Sequence, residues 1–154
     1  MPTPEDPRTR RTARLAFAAG IGCAVLVAAL ALAPRAAPQE GLPEGPLEVP
    51  SRQLVTLQEA FLEEQADGAL WLRLRFVAPR IGSGPGEYGF DVVEWDMVHL
   101  CEALGIPWAE AGGADLIVVS FAAEPVEFGL STPDVAQFFE AYRIEDGECA
   151  WEEF

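Results

Sequence analysis

Between Leu15 and Ala33 the chain carries nineteen consecutive residues, LAFAAGIGCAVLVAALALA, without a charge or a strongly polar side chain. A helix rises about 1.5 Å per residue, so such a run reaches across roughly 28 Å, close to the hydrocarbon thickness of a bilayer. Arg8, Arg10, Arg11 and Arg14 precede it and the far flank is net acidic. That bias holds residues 1–14, a basic n-region, in the cytoplasm and sends everything after residue 33 outward. Residues 15–33 therefore read as a signal peptide or a transmembrane anchor, and the sequence leaves both open. Ala31-Leu32-Ala33 offers a small-x-small cleavage triplet, but Pro34 follows it, and the apolar run exceeds the roughly 7 to 15 residues of an ordinary cleaved signal. Cys23 lacks the aliphatic residue three positions earlier that a lipidation site needs, and reads as a membrane-helix residue.

Charge narrows the partners. The chain has a formal net charge of −15 and no lysine, and four of its ten arginines lie ahead of the apolar run, so the portion beyond it is more acidic still. A field of that sign repels phosphate backbones and anionic lipid, which argues against nucleic acid as a partner. Glycines at 82, 84 and 86 have neither a following Lys-Ser/Thr pair nor dinucleotide-fingerprint spacing, so no nucleotide and no other cofactor is expected. Cys101 and Cys149 are the cysteines outside the apolar run. In an oxidising compartment two cysteines of a small domain most economically form one disulfide, and no Cys-x-x-Cys spacing suggests a redox pair.

Residues 34–50 hold five prolines and two glycines with almost no apolar periodicity, and read as an extended Pro-rich linker. The exported domain then occupies 51–154. Residues 54–62 and 69–78 are rich in branched and aromatic side chains, with Ala66-Asp67-Gly68 between them, and predict a hairpin. In its second arm Leu70, Leu72, Leu74 and Phe76 share one face and Trp71, Arg73, Arg75 and Val77 the other. Arg73 and Arg75 are then cross-strand partners for carboxylates such as Glu59 or Glu63. Residues 80–89, RIGSGPGEYG, predict a long flexible loop, and DLIVVSFA at 115–122 a central strand. Residues 124–129 can add a short edge strand after Pro125. Ser120 has no G-x-S-x-G context and carries no catalytic expectation.

The spacing predicts a helix over 91–104, with Val93, Met97, Leu100, Cys101 and Leu104 on one apolar face, Asp91 as its cap and Gly105 as its stop. Cys101 points inward, so its disulfide would staple helix to sheet. The opposite face is expected to present Trp95, His99 and Glu102, with Asp96 alongside. Asp96, His99 and Glu102, at i, i+3 and i+6, are weak metal candidates, because structural zinc prefers four ligands with more His or Cys. An exposed Trp95-His99 patch is the better candidate for a partner surface, with Trp108 as a second outward aromatic. Asp91 and Glu94 are the least implausible acids for carboxylate chemistry.

The tail, residues 136–154, predicts a second hairpin around Asp146-Gly147, with Ile144 or Tyr142 opposite Cys149 and Trp151. A helix over 134–142 is the competing reading. Glu145, Asp146 and Glu148 at the turn form far too short a loop for an EF-hand. The tail's QFFEAYRIEDG with Cys149, Trp151, Glu152 and Phe154, together with Phe76-Val77-Ala78-Pro79, resembles a family of small exported bacterial proteins with a domain of unknown function. The resemblance implies a bacterial envelope address, extracytoplasmic and periplasmic, with the inner membrane as a partner if residues 15–33 are retained. It assigns no catalytic or binding residue.

The expected architecture is α+β: an antiparallel sheet of about five strands packed on one main helix, in the order ββαβ(β)ββ, preceded by an N-terminal membrane or signal helix. The expected function is a non-enzymatic interaction module of the cell envelope, recognising an envelope protein. A small envelope hydrolase using carboxylates and a cation-binding or metal-binding envelope protein are the alternatives.

Overall fold

A computed structural model describes residues 42–153 and the backbone of residues 35–36. The basic n-region and the apolar run at 15–33 lie outside the described residues, and among the described residues no helix is long and apolar enough to cross a membrane. The elements are β1 (Arg35–Ala36), β2 (Pro46–Glu48), β3 (Leu54–Glu64), β4 (Leu70–Val77), α1 (Phe90–Leu100), a π-helical turn (Cys101–Gly105), α2 (Ile106–Gly112), β5 (Leu116–Ala122), β6 (Gln137–Glu145) and β7 (Glu148–Glu152).

Alternation sets the centre of the fold. Leu72, Leu74 and Phe76 of β4 and Ile117, Val119 and Phe121 of β5 are all buried on the helix-facing side, where they meet Val93, Met97, Leu100 and Trp108. Each such side chain contributes roughly 1.5–3 kcal/mol by leaving water. On the other face of β4, Arg73 pairs with Glu63 at 2.8 Å and Arg75 with Glu59, the cross-strand partnerships expected from the pattern. A bulge between Leu57 and Glu59 makes this possible. It shifts the register by one, so Leu57 and Ala60 both meet core-facing residues of β4 while Glu59 falls opposite Arg75.

The sheet is mixed, not antiparallel as expected, with the order β1-β3-β4-β5-β6-β7 and β2 also paired on β3. Strands β4 and β5 run parallel, from Trp71 opposite Leu116 to Val77 opposite Ala122. Parallel neighbours need a long crossover, and the helical segment 90–112 supplies it. From residue 46 onward six strands are present, one more than expected. The extra one is β2, inside the stretch read as linker: Pro46 and Glu48 bracket Leu47, which packs on the core, and Val49 is buried just beyond. Residues 124–129 form no strand. Their backbone is instead held by Gln58, whose Nε2 donates to the Val126 carbonyl at 2.6 Å, while Arg75 Nη2 donates to the same oxygen at 3.1 Å. The loop at 80–89 folds back on itself, with Tyr88 N–H bonded to the Arg80 carbonyl at 2.7 Å and the Arg80 guanidinium 4.2 Å from the Tyr88 ring centre.

The helix also departs from expectation at both ends. Gly89, not Asp91, occupies the capping position, and no side chain caps the first turn. At the other end Gly105 does not stop the helix. It lies close against the sheet, where a Cβ would stand 3.0 Å from Ile117 Cγ2. The chain passes this point in a π-turn, Ile106 N–H bonding the Cys101 carbonyl, and continues to Gly112. A π-turn leaves one carbonyl without its usual donor, which suits Pro107, a residue with no N–H to give. Gly113, at φ +70°, then ends the helix in the left-handed conformation. The extension carries Trp108 into the core, so it is not an outward aromatic.

Candidate functional site

The tail forms the hairpin read from its turn signal. Asp146 and Gly147 have φ of +52° and +84°, the two positive values of a type I′ turn, and Ile144 faces Cys149 while Tyr142 faces Trp151. Alternation along β6 directs Phe138, Glu140, Tyr142 and Ile144 to the helix side. Opposite them α1 presents Phe90, Glu94, Trp95 and Val98, spaced at i, i+4, i+5 and i+8. The Cys101–Cys149 disulfide joins the end of α1 to β7. Phe90 packs edge-to-face on Phe138 at 5.8 Å and ties the start of the helix to β6.

Between these two attachments lies a cavity of about 400 Å³, lined by Phe90, Glu94, Trp95, Val98, Glu140, Tyr142, Cys149 and Trp151. Its rim is aromatic and open: Trp95 is 65% exposed and Trp151 61%. Its floor is Tyr142, fully buried, whose hydroxyl donates to Glu140 Oε2. Burial pushes the Glu140 carboxyl above the usual carboxylate range; the Tyr142 hydrogen bond offsets part of that rise, and the nearby Glu94 charge adds to it. The Tyr142 phenol is raised too, by burial first and by its bond to Glu140 second. The site is thus an apolar groove holding two carboxylates, one exposed enough to stay hydrated and one held at the floor. Such a surface can take up an apolar body between the tryptophans and meet positive charge below.

Of the residues singled out in the sequence, Trp95 lies on this rim and Glu94 inside it. His99 is exposed on α1 outside the groove lining, and Glu102 is exposed one turn further on. Asp96 does not lie on the polar face with them. It is fully buried and accepts hydrogen bonds from Ser51 N at 2.8 Å, Ser51 Oγ at 2.6 Å and Gln53 Nε2 at 2.8 Å. The three weak metal candidates are therefore not brought together: the Asp96 carboxylate is engaged by the segment that enters β3. Among the described residues no group of three or more His, Cys, Asp or Glu is disposed to hold a metal ion. Asp91 is exposed and apart from the groove, as are Glu145, Asp146 and Glu148 on the hairpin turn.

Glu140, Tyr142 and Trp151 were not anticipated as site residues. The signal for Glu140 is present in the strand itself, a carboxylate at an inward position between Phe138 and Tyr142. No curated protein and no solved structure matches the chain. The model of a family of unknown function (DUF6497) matches residues 25–154, spanning every described element from β1 to β7. The protein belongs to that family of unknown function.

Proposed function

We propose that the protein is a non-enzymatic interaction module of the bacterial cell envelope, exported by residues 15–33, which docks a partner protein in the groove between α1 and the β6–β7 hairpin. The observation that carries this reading is the pair of large indoles, Trp95 and Trp151, left open to solvent on either side of an apolar cavity. Exposed tryptophans bounding a concave apolar surface are the composition of interface hot spots. The disulfide and the Phe90–Phe138 contact brace the two walls, so docking requires little reorganisation.

The test is recovery of partners from native envelope membranes by the full-length protein, with Trp95→Ala, Trp151→Ala and Phe139→Ala as parallel baits. Phe139 is 63% exposed but lies on the opposite face of β6. A partner retained by Phe139→Ala and lost with both tryptophan variants supports the groove. Retention by the tryptophan variants, or loss with Phe139→Ala alone, refutes it.

A second reading, a small envelope hydrolase, draws on one observation: the buried Glu140, its pKa raised by burial, shares the cavity with a second, half-buried carboxylate, Glu94, and an acid kept protonated beside another carboxylate is what such chemistry uses. It requires Glu140→Gln to abolish turnover of a substrate that still binds. The docking reading requires Glu140→Gln to alter binding alone.

A further inference from the structure

We propose that the occupant of the groove is a lysine or arginine side chain carried on an apolar peptide segment of the partner. The inference rests on the docking reading and specifies its chemistry. Glu94 and Glu140 both line the cavity, and no arginine does. The ion-paired arginines among the described residues, Arg73, Arg75 and Arg143, are engaged with Glu63, Glu59 and Glu152 elsewhere on the sheet. The chain has no lysine to offer. Among the described residues, then, these two carboxylates in an apolar groove meet no cation, and placing one between them relieves their mutual repulsion while satisfying its charge.

The walls suit the rest of such a side chain. A basic residue has a methylene stem that lies along apolar surface and a charged head that seeks acceptors. Phe90, Val98 and Tyr142 supply the first and the carboxylates the second, while the exposed faces of Trp95 and Trp151 attract a cation as it enters. A cavity of about 400 Å³ lies near the small end of ligand pockets, of size for one basic side chain and its apolar neighbours. The net charge of −15 draws basic segments toward the protein over longer range.

The experiment is calorimetric titration of the full-length protein in detergent micelles, with protein-free micelles as blank, using Ac-Leu-Lys-Leu-amide and Ac-Leu-Nle-Leu-amide. Norleucine keeps the stem and removes the charge. The lysine peptide is expected to bind at least tenfold more tightly, with affinity falling as salt rises. Glu94→Gln with Glu140→Gln should erase that preference, and Trp95→Ala should weaken both peptides. If the double variant does not fold, Glu94→Gln alone should reduce the preference at least threefold. Equal affinities for the two peptides, both lost in Trp95→Ala, overturn the basic specificity and leave the docking groove standing. Binding of neither peptide overturns both.

Discussion

Asp96, in the middle of α1, accepts a hydrogen bond from the side-chain amide of Gln53, at the threshold of β3, across 2.8 Å. Ser51 adds its backbone N–H and its hydroxyl to the same carboxylate. The cluster ties the segment between β2 and β3 to the helix. Removing the acceptor leaves the buried Gln53 amide and the half-buried Ser51 donors without their partner, and each buried unpaired group costs about 1–3 kcal/mol. Asp96→Ala should therefore lower unfolding stability by about 3 kcal/mol, and Asp96→Asn by less because one carbonyl oxygen remains. Urea denaturation measures both, and a loss of under about 0.5 kcal/mol for the alanine variant would contradict the role assigned to this cluster.

The disulfide closes a loop of 48 residues between the end of α1 and the final strand. Chain entropy alone gives a stabilisation of about 4 kcal/mol for a loop of that length. Cys101→Ala with Cys149→Ala, or reduction of the parent, should lower the denaturation midpoint accordingly and free the β7 wall of the groove. Equal midpoints with and without reductant would show that the packing of Tyr142 and Val98 suffices.

Glu140 makes stability depend on pH in an unusual direction for a carboxylate. Its folded pKa is raised above the ordinary 4.5, mainly by burial. The contribution of its neutral form is complete below 4.5 and is lost as pH rises through the raised value. Glu140→Gln, which stays neutral, should thus be more stable than the parent at pH 8 and indistinguishable from it at pH 4. Glu94→Gln should bring the Glu140 titration down, as followed by carboxyl carbon resonances. An unchanged titration would remove Glu94 as a cause.

Gly105→Ala sets helix propensity against packing. Alanine gains about 1 kcal/mol over glycine in a helix. Here its methyl would press on Ile117 Cγ2 at 3.0 Å and Cδ1 at 3.3 Å, in a core where Ile117 and Leu74 are almost wholly buried. Overpacking of that kind costs about 1–3 kcal/mol. Net destabilisation of about 1 kcal/mol is expected by thermal or urea unfolding; a stabilised variant would show that the helix rides further from the sheet.

Local chemistry made part of this molecule readable. The alternation of β4 announced which arginines would seek Glu59 and Glu63, and Asp146-Gly147 announced the hairpin that sets Tyr142 opposite Trp151. What escaped reading depends on partners distant in sequence. Asp96 follows Val93 by three positions and precedes Leu100 by four, so helical periodicity puts it beside the apolar stripe. Only the positions of Ser51 and Gln53, some forty-five residues earlier, decide that it turns inward. Gly105 looks like a stop until Ile117 is known to lie against it. Glu140 was visible as an oddity in its strand, but the groove that gives it meaning needs α1, β6 and β7 together. Parallel pairing of β4 with β5 left no mark in either strand, since both read equally well as central strands of an antiparallel sheet.

That parallel pairing has a consequence for the order of assembly. The two hairpins, β3–β4 and β6–β7, each close over a few residues and can form early and independently. Joining Trp71 to Leu116, and with it the two halves of the sheet, means closing a span of about 45 residues whose intervening helix must already be seated. The middle of the sheet, although its most protected part once complete, is therefore the last to be committed. A chain stalled before that step carries two halves of a sheet with unpaired inner edges, β4 on one and β5 on the other, open to the wrong neighbour.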